Sequence, residues 1–320
     1  MKRWNLEPLP QGEYVHEDNG SGKKFEGKLV LRPSSIDAYI RCPYSFYRQQ
    51  MLGEYGAPNS ASQVGTALHY VMEVALNQIL DGEGKPEEDE LQRVGLRAWK
   101  DYNEKANIVY HGDQTYASMA DDLFAGVKAL HEAIDFITPV GSESRHSARI
   151  VSHPVFSAVS GSLDIETDKG VVDLKFTGKK KSKPDDYILQ QSCYSLQKNI
   201  NGIENDKLEI LNIVRPTKAK KAKSDSSLVA DWHIMEMKPN EAYVIHWIDI
   251  ILAKTNMLFN FEACNTKEET EEYAELLFQG TSPSNSFLCN DTWCSHYKTC
   301  PHVKALRDAD ADPFQEMVMF

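Results

Sequence analysis

Two carboxylates and an amine stand close together near the middle of the chain. Gly161-Ser162-Leu163-Asp164 and Val171-Val172-Asp173-Leu174-Lys175 flank Thr167-Asp168-Lys169-Gly170, a hairpin-turn sequence. Strands joined by so short a turn pair with each other, so both carboxylates reach one point. Hard divalent cations need such clustered oxygens. Lys175 follows Asp173 by two residues, and period-two alternation puts both side chains on one strand face. An ammonium beside a ligating carboxylate can orient an attacking water and stabilise charge growing on phosphoryl oxygens. An Asp-x-Lys triplet alone arises often by chance. Its setting on a half-buried strand gives it weight, because buried Asp and Lys need partners or a ligand.

Two further elements stand in a compatible order. Gly65-Thr66-Ala67-Leu68-His69 places an imidazole, a good Mn²⁺ ligand, on a helix. Gln190 and Tyr194 are spaced i, i+4 and share a helix face. An amide beside a phenol suits phosphate or base contacts, and equally a structural pair. Of the six cysteines, Cys289, Cys294 and Cys300 crowd near the C-terminus, and Cys42 offers a fourth thiol far upstream. In a reducing compartment four such thiols read as zinc or an iron–sulfur cluster, and spacing does not separate the two. Cys193 is expected in the core and Cys264 is a spare thiol.

The elements that must position these groups follow from periodicity. Residues 1–30 read as a loosely packed arm with at most one short strand. Ser34 is the expected N-cap of a first helix, with Asp37 as its box partner, and Pro43 interrupts that helix after Cys42. A second helix spans about 64–80, with Val64, Leu68, Val71, Met72, Ala75 and Ile79 as its apolar stripe. Amphipathic helices are expected near 87–106 and 116–137. The pattern changes at Ala148 to short strands at 148–157, 159–167 and 170–177. A helix follows at 184–200, with Pro184 in its first turn, then strands at 207–215 and 228–237. A long helix starts at Pro239, and a shorter one lies near 268–279. The sum is a mixed α/β sheet flanked by helices. The expected divisions are an arm (1–30), N-terminal helices (31–84), a helical insertion (85–147), a core (148–280) and a cysteine-bearing tail (281–320).

The net charge of −12 argues against a passive nucleic-acid binder. It is compatible with a carboxylate site, where a bound cation supplies local positive charge. Basic residues also cluster, at Lys179, Lys180, Lys181 and Lys183, and again at Arg215, Lys218, Lys220, Lys221 and Lys223. Each run suits phosphate contact or a solvated loop. No apolar run is long enough for a transmembrane helix or follows the basic start as in a signal peptide, so cytoplasm is the expected compartment.

The ordered set Gly65/His69, Gly161/Asp164, Asp173/Lys175 and Gln190/Tyr194 resembles the RecB-like branch of the PD-(D/E)XK nuclease superfamily. Leu31-Arg32-Pro33-Ser34-Ser35 and Cys42-Pro43-Tyr44 look like that family's opening. The resemblance spans residues 31–302 apart from 85–140. It implies a restriction-endonuclease-like core and metal-dependent hydrolysis of DNA, with exonuclease action on single strands or ends. His69, Asp164, Asp173 and the Leu174 carbonyl would hold Mg²⁺ or Mn²⁺. Lys175 would position the water, and Gln190 and Tyr194 would hold the strand or orient Lys175. It further implies a [4Fe–4S] cluster on Cys42, Cys289, Cys294 and Cys300, in preference to zinc. The late cysteines depart from the family's usual Cys-x2-Cys-x5-Cys, which makes Cys289 the doubtful ligand and His296 or His302 its substitutes. Implied partners are DNA and proteins of recombination, replication or CRISPR adaptation, with a homo-oligomeric ring as one arrangement. No Gly-x-x-x-x-Gly-Lys-Ser/Thr helicase motif occurs. The competing readings are a non-catalytic DNA-end-binding scaffold on the same fold and a zinc-stapled RNA-processing enzyme.

Overall fold

A computed structural model describes residues 4–10, 17–18, 23–180, 187–205, 207–217, 228–281, 289–290 and 294–305. The chain forms two compact units. One comprises Met1–Gly56, Ser147–Ser160 and Ala242–Phe320, the other Ala57–His146 and Gly161–Glu241.

In the first unit, residues 6–31 carry four short strands where an arm with one strand is expected. β1 (Leu6–Leu9) pairs antiparallel with residues 147–150 of β5 (Pro139–Ile150). β2 (Glu17–Asp18), β3 (Lys23–Phe25) and β4 (Lys28–Leu31) run antiparallel in turn, and β4 pairs parallel with the start of β6 (Phe156–Thr167). Strands of two to four residues are too short to show alternation, so the sequence hides them. Leu9, Phe25, Val30 and Ala158 form their shared core.

Helix α1 (Pro33–Arg41) starts one residue before the expected cap. Arg32 holds the extended N-cap position and Pro33, whose fixed φ suits the first turn, follows it. Ser34 is therefore not the cap, and Asp37 pairs with Arg41 at i+4 instead. The break before Pro43 occurs as expected. Cys42 is extended between α1 and α2 (Pro43–Phe46), which continues into one π turn at Tyr47–Met51. Helices α7 (Glu241–Glu262) and α8 (Lys267–Leu277) complete the unit. Phe278 is fully buried and stacks on Tyr47 and Phe46, with Tyr39 edge-on.

The second unit contains a mixed sheet in the order β6, β7 (Gly170–Thr177), β8 (Lys207–Val214), β9 (Asp231–Met237). The pairs are antiparallel, parallel and antiparallel. Gly170 is required where β7 meets β8, since a Cβ there would sit 1.8 Å from the Lys207 carbonyl oxygen. Helices α3 (Ser60–Leu80), α4 (Glu88–Lys105) and α5 (Tyr116–Ile134) share a core with one sheet face, including Leu68, Val71, Leu123, Val172, Leu174, Leu211 and Ile213. Helix α6 (Ile188–Ile200) lies over the other, where Tyr194 packs with Leu163, Val171, Leu208 and Ile210. β5 begins at Pro139, nine residues before the pattern change at Ala148, because residues 139–146 are polar and lack apolar alternation. Pro184, Lys181, Lys183, Lys218, Lys220, Lys221 and Lys223 lie outside the described residues.

Candidate active site

β6 and β7 bring the two carboxylates together. Ile165 stands opposite Val172 and Glu166 opposite Val171. Continuing that register sets Asp164 beside Asp173, and the Leu174 N–H donates to Asp164 Oδ2 at 2.7 Å. Asp173 is fully buried and Asp164 nearly so. Lys175 shares the face of Asp173, as alternation requires, and its ammonium pairs with Asp173 Oδ2. It also lies 5.8 Å from the centre of the Tyr187 ring.

Helix α3 delivers the imidazole. Asn59 caps it by accepting from the Ser62 N–H at 2.8 Å. Val64, Leu68, Val71, Met72 and Ala75 are buried and fix its rotation. His69 follows Leu68 at the margin of that stripe, and its Nδ1 lies 3.3 Å from Asp164 Oδ1. Helix α6 supplies a brace. Gln190 Nε2 donates to Asp173 Oδ1 at 2.9 Å and to the Tyr194 hydroxyl at 2.7 Å. Gln190 therefore reaches Asp173, the carboxylate that pairs with Lys175, and the Tyr194 ring is buried.

Glu143, which sequence reasoning missed, joins the cluster. It sits on β5 with a φ of +48°, a left-handed conformation that a non-glycine residue adopts at a cost and that interrupts strand alternation. Among the described residues, His69, Glu143 and Asp164 are the one set of three such groups whose ligand atoms lie within 4.8 Å of one another. Nothing in Gly141-Ser142-Glu143-Ser144-Arg145 advertises this, because the turn of the backbone that aims Glu143 has no local sequence sign. Tyr187 was missed likewise.

The electrostatics fit a cation site. Burial pushes the Asp173 carboxyl up to about 6, with Asp164 adding to the rise and Lys175 opposing it. Burial pushes Glu143 up to about 7, with Asp164 and Glu73 adding and His69 opposing. Asp164 goes the other way. Burial would raise it, but His69, Lys175 and the Leu174 N–H together hold it below the usual range. Burial disfavours the charged forms of His69 and Lys175, yet the carboxylates outweigh it and hold both above their ordinary values. Buried carboxylates that repel each other, with an imidazole beside them, fit a hard or borderline divalent cation.

A second constellation lies in the first unit, where Cys42, Cys289, Cys294 and Cys300 are free thiols. Burial raises the Cys289 thiol, and Cys294, Cys42 and Cys300 raise it further, so the four are within electrostatic reach. Burial also raises Cys294, while backbone N–H groups of His296 and Tyr297 hydrogen-bond its sulfur and favour the thiolate. Gly280 backs onto Cys300, where an added Cβ would stand 3.4 Å from Sγ. His296 is buried, and its Nε2 has no hydrogen-bond partner among the described residues; nor has that of His302. Cys193 is buried and Cys264 exposed.

No helix among the described residues is long and apolar enough to cross a membrane. No curated protein matches the sequence. The model of the PD-(D/E)XK nuclease superfamily matches residues 31–301, a span that contains both constellations. With a mixed sheet flanked by helices, and carboxylates and lysine meeting on adjacent strands, the chain belongs to the PD-(D/E)XK nuclease superfamily.

Proposed function

We propose that the chain is a divalent-cation-dependent DNA exonuclease that trims single strands or duplex ends. One observation carries this reading: His69, Asp164, Asp173 and Lys175 meet in one cluster with opposite charges facing each other. His69, Asp164, Asp173 and the Leu174 carbonyl would hold Mg²⁺ or Mn²⁺. When bound, the cation supplies Lewis-acid polarisation of the scissile phosphate and acidifies a nearby water. Lys175, held by Asp173, orients the water for in-line attack and stabilises the charge growing on the phosphoryl oxygens. A P–O bond forms to the water oxygen, which gives up a proton to solvent, and the P–O bond to the leaving sugar oxygen breaks as that oxygen takes a proton from solvent, with no covalent enzyme intermediate. Gln190 is a positioning residue that acts through Asp173, and Tyr194 acts through Gln190.

The same reading assigns Cys42, Cys289, Cys294 and Cys300 to a [4Fe–4S] cluster that ties the α1–α2 junction to the C-terminal segment. The choice of the cluster over zinc rests on the family resemblance, with one early and three late cysteines. Such a cluster implies a reducing compartment, the cytoplasm, and partners in recombination, replication or CRISPR adaptation follow from the resemblance alone. A colourless protein with stoichiometric zinc would reject the cluster.

The test uses single-stranded DNA blocked at the 5′ end, the 3′ end or both, with Mn²⁺ titrated. Degradation that needs both the cation and one free end supports the proposal. Cleavage of doubly blocked strands would make the enzyme an endonuclease. Binding without cleavage would make it a scaffold, and preference for RNA would reassign the substrate.

A further inference from the structure

We infer that Glu143 is a further direct ligand of the catalytic cation, beside His69 and Asp164. The inference rests on the nuclease reading and refines it. Asp173 is the carboxylate the family motif would make the main partner of Asp164, and each of its oxygens serves a neighbour while keeping a lone pair for the cation. Oδ1 accepts from Gln190 and Oδ2 faces the Lys175 ammonium. Asp164 Oδ2 likewise accepts from the Leu174 N–H, and its Oδ1 is turned toward His69 Nδ1. One ligand atom from each of His69, Glu143 and Asp164 lies within 4.8 Å of the other two, so Glu143 stands where it can join the ligands already assigned. Ligand atoms at about 2.0–2.2 Å from one ion stand roughly 3 to 4 Å apart, so only a small closure is needed.

The rest of β5 supports the placement. The left-handed backbone at Glu143 is the kind of local strain that persists where surrounding structure demands one side-chain direction. Two residues on, Arg145 Nη2 donates to Ser162 Oγ at 2.9 Å and fastens β5 to the strand that bears Asp164. Glu143 is thus tied to the strand of Asp164 through a side-chain bridge two residues away. A further carboxylate beside the imidazole makes the position more strongly anionic, as a divalent cation requires.

The test measures Mn²⁺ binding by the electron paramagnetic resonance of unbound Mn²⁺, with full-length wild type, Glu143→Gln and Asp164→Asn compared and no DNA present. Glu143→Gln is expected to weaken binding at least about tenfold, the loss that follows even from removing a group that only supports a ligand. Asp164→Asn is expected to weaken it as much or more. Wild-type affinity in Glu143→Gln with a loss in Asp164→Asn overturns the role of Glu143 and leaves the cation site standing. Wild-type affinity in both overturns the site as well. Should Glu143→Gln fail to fold, Glu143→Asp keeps the charge and withdraws the oxygen by one methylene. It too must bind Mn²⁺ more weakly, and wild-type affinity there overturns the inference.

Discussion

Protons must compete with the cation at this site, and the structure sets the size of the effect. Asp173 titrates at about 6 and Glu143 at about 7 because burial and neighbouring carboxylates disfavour their charged forms. At pH 5 a carboxyl titrating near 6 is about nine-tenths protonated, which weakens cation binding about tenfold; one titrating near 7 costs about a hundredfold. Raising the pH from 5 to 8 is therefore expected to strengthen Mn²⁺ binding about a thousandfold if both carboxylates ionise on binding, and about tenfold if Asp173 alone does. His69, held above its ordinary value by Asp164, adds to the trend in the same direction. The sign for stability follows from the same groups. A carboxyl held above its unfolded value makes the folded protein keep its proton longer, so stability falls as pH rises from 3.8 toward about 6. For Asp173 that cost is about 3 kcal/mol, complete above pH 6 in cation-free protein, and bound Mn²⁺ should offset it. Isothermal titration at pH 5, 6, 7 and 8 in buffers of different ionisation enthalpy reads both affinity and proton release. An affinity that changes less than about threefold over this range, with no protons released, would refute the reasoning.

The buried Lys198 pairs with the half-buried Glu166 at 2.7 Å, and His146 stands 3.5 Å from the same oxygen, too long for a strong hydrogen bond. These two bases hold Glu166 down to about 2. Lys198→Met should cost about 3 kcal/mol in urea unfolding at pH 7. The pair's contribution is present above pH 4.5 and fades as pH falls toward about 2, so the gap between variant and wild type should shrink in acid. Gln190→Ala removes the brace on Asp173 and should lower kcat about tenfold while KM for DNA stays within about twofold, a split read from steady-state kinetics. Cys42→Ala should abolish bound iron and visible absorption. It should also lower the unfolding free energy by up to about 5 kcal/mol, since a closure of some 250 residues is lost.

The strands that carry Asp164, Asp173 and Lys175 were legible because the Thr167–Gly170 turn fixes their pairing and alternation fixes their faces. The stripe from Val64 to Ala75 gave the rotation of α3, and with it the direction of His69. Glu143 was not legible, because a left-handed residue inside a polar strand obeys no periodicity. The brace from Gln190 was visible as an i, i+4 pair with Tyr194, but its target was not. Which group an amide reaches depends on how α6 sits over β7, a tertiary fact. The start of α1 was misplaced by the appeal of Ser34 as a cap, although Pro33 at the first turn is an equally physical signal. The four thiols were found by counting, while their mutual electrostatic influence came only from the fold.

The most direct test of the central claim is the rate at which end-labelled single-stranded DNA is hydrolysed in Mn²⁺ by wild type, Asp164→Asn and Lys175→Ala, each with its iron content and fold verified. Cation-dependent hydrolysis by wild type, reduced about a thousandfold in both variants, is the expected result. Hydrolysis at the wild-type rate by either variant would contradict the account.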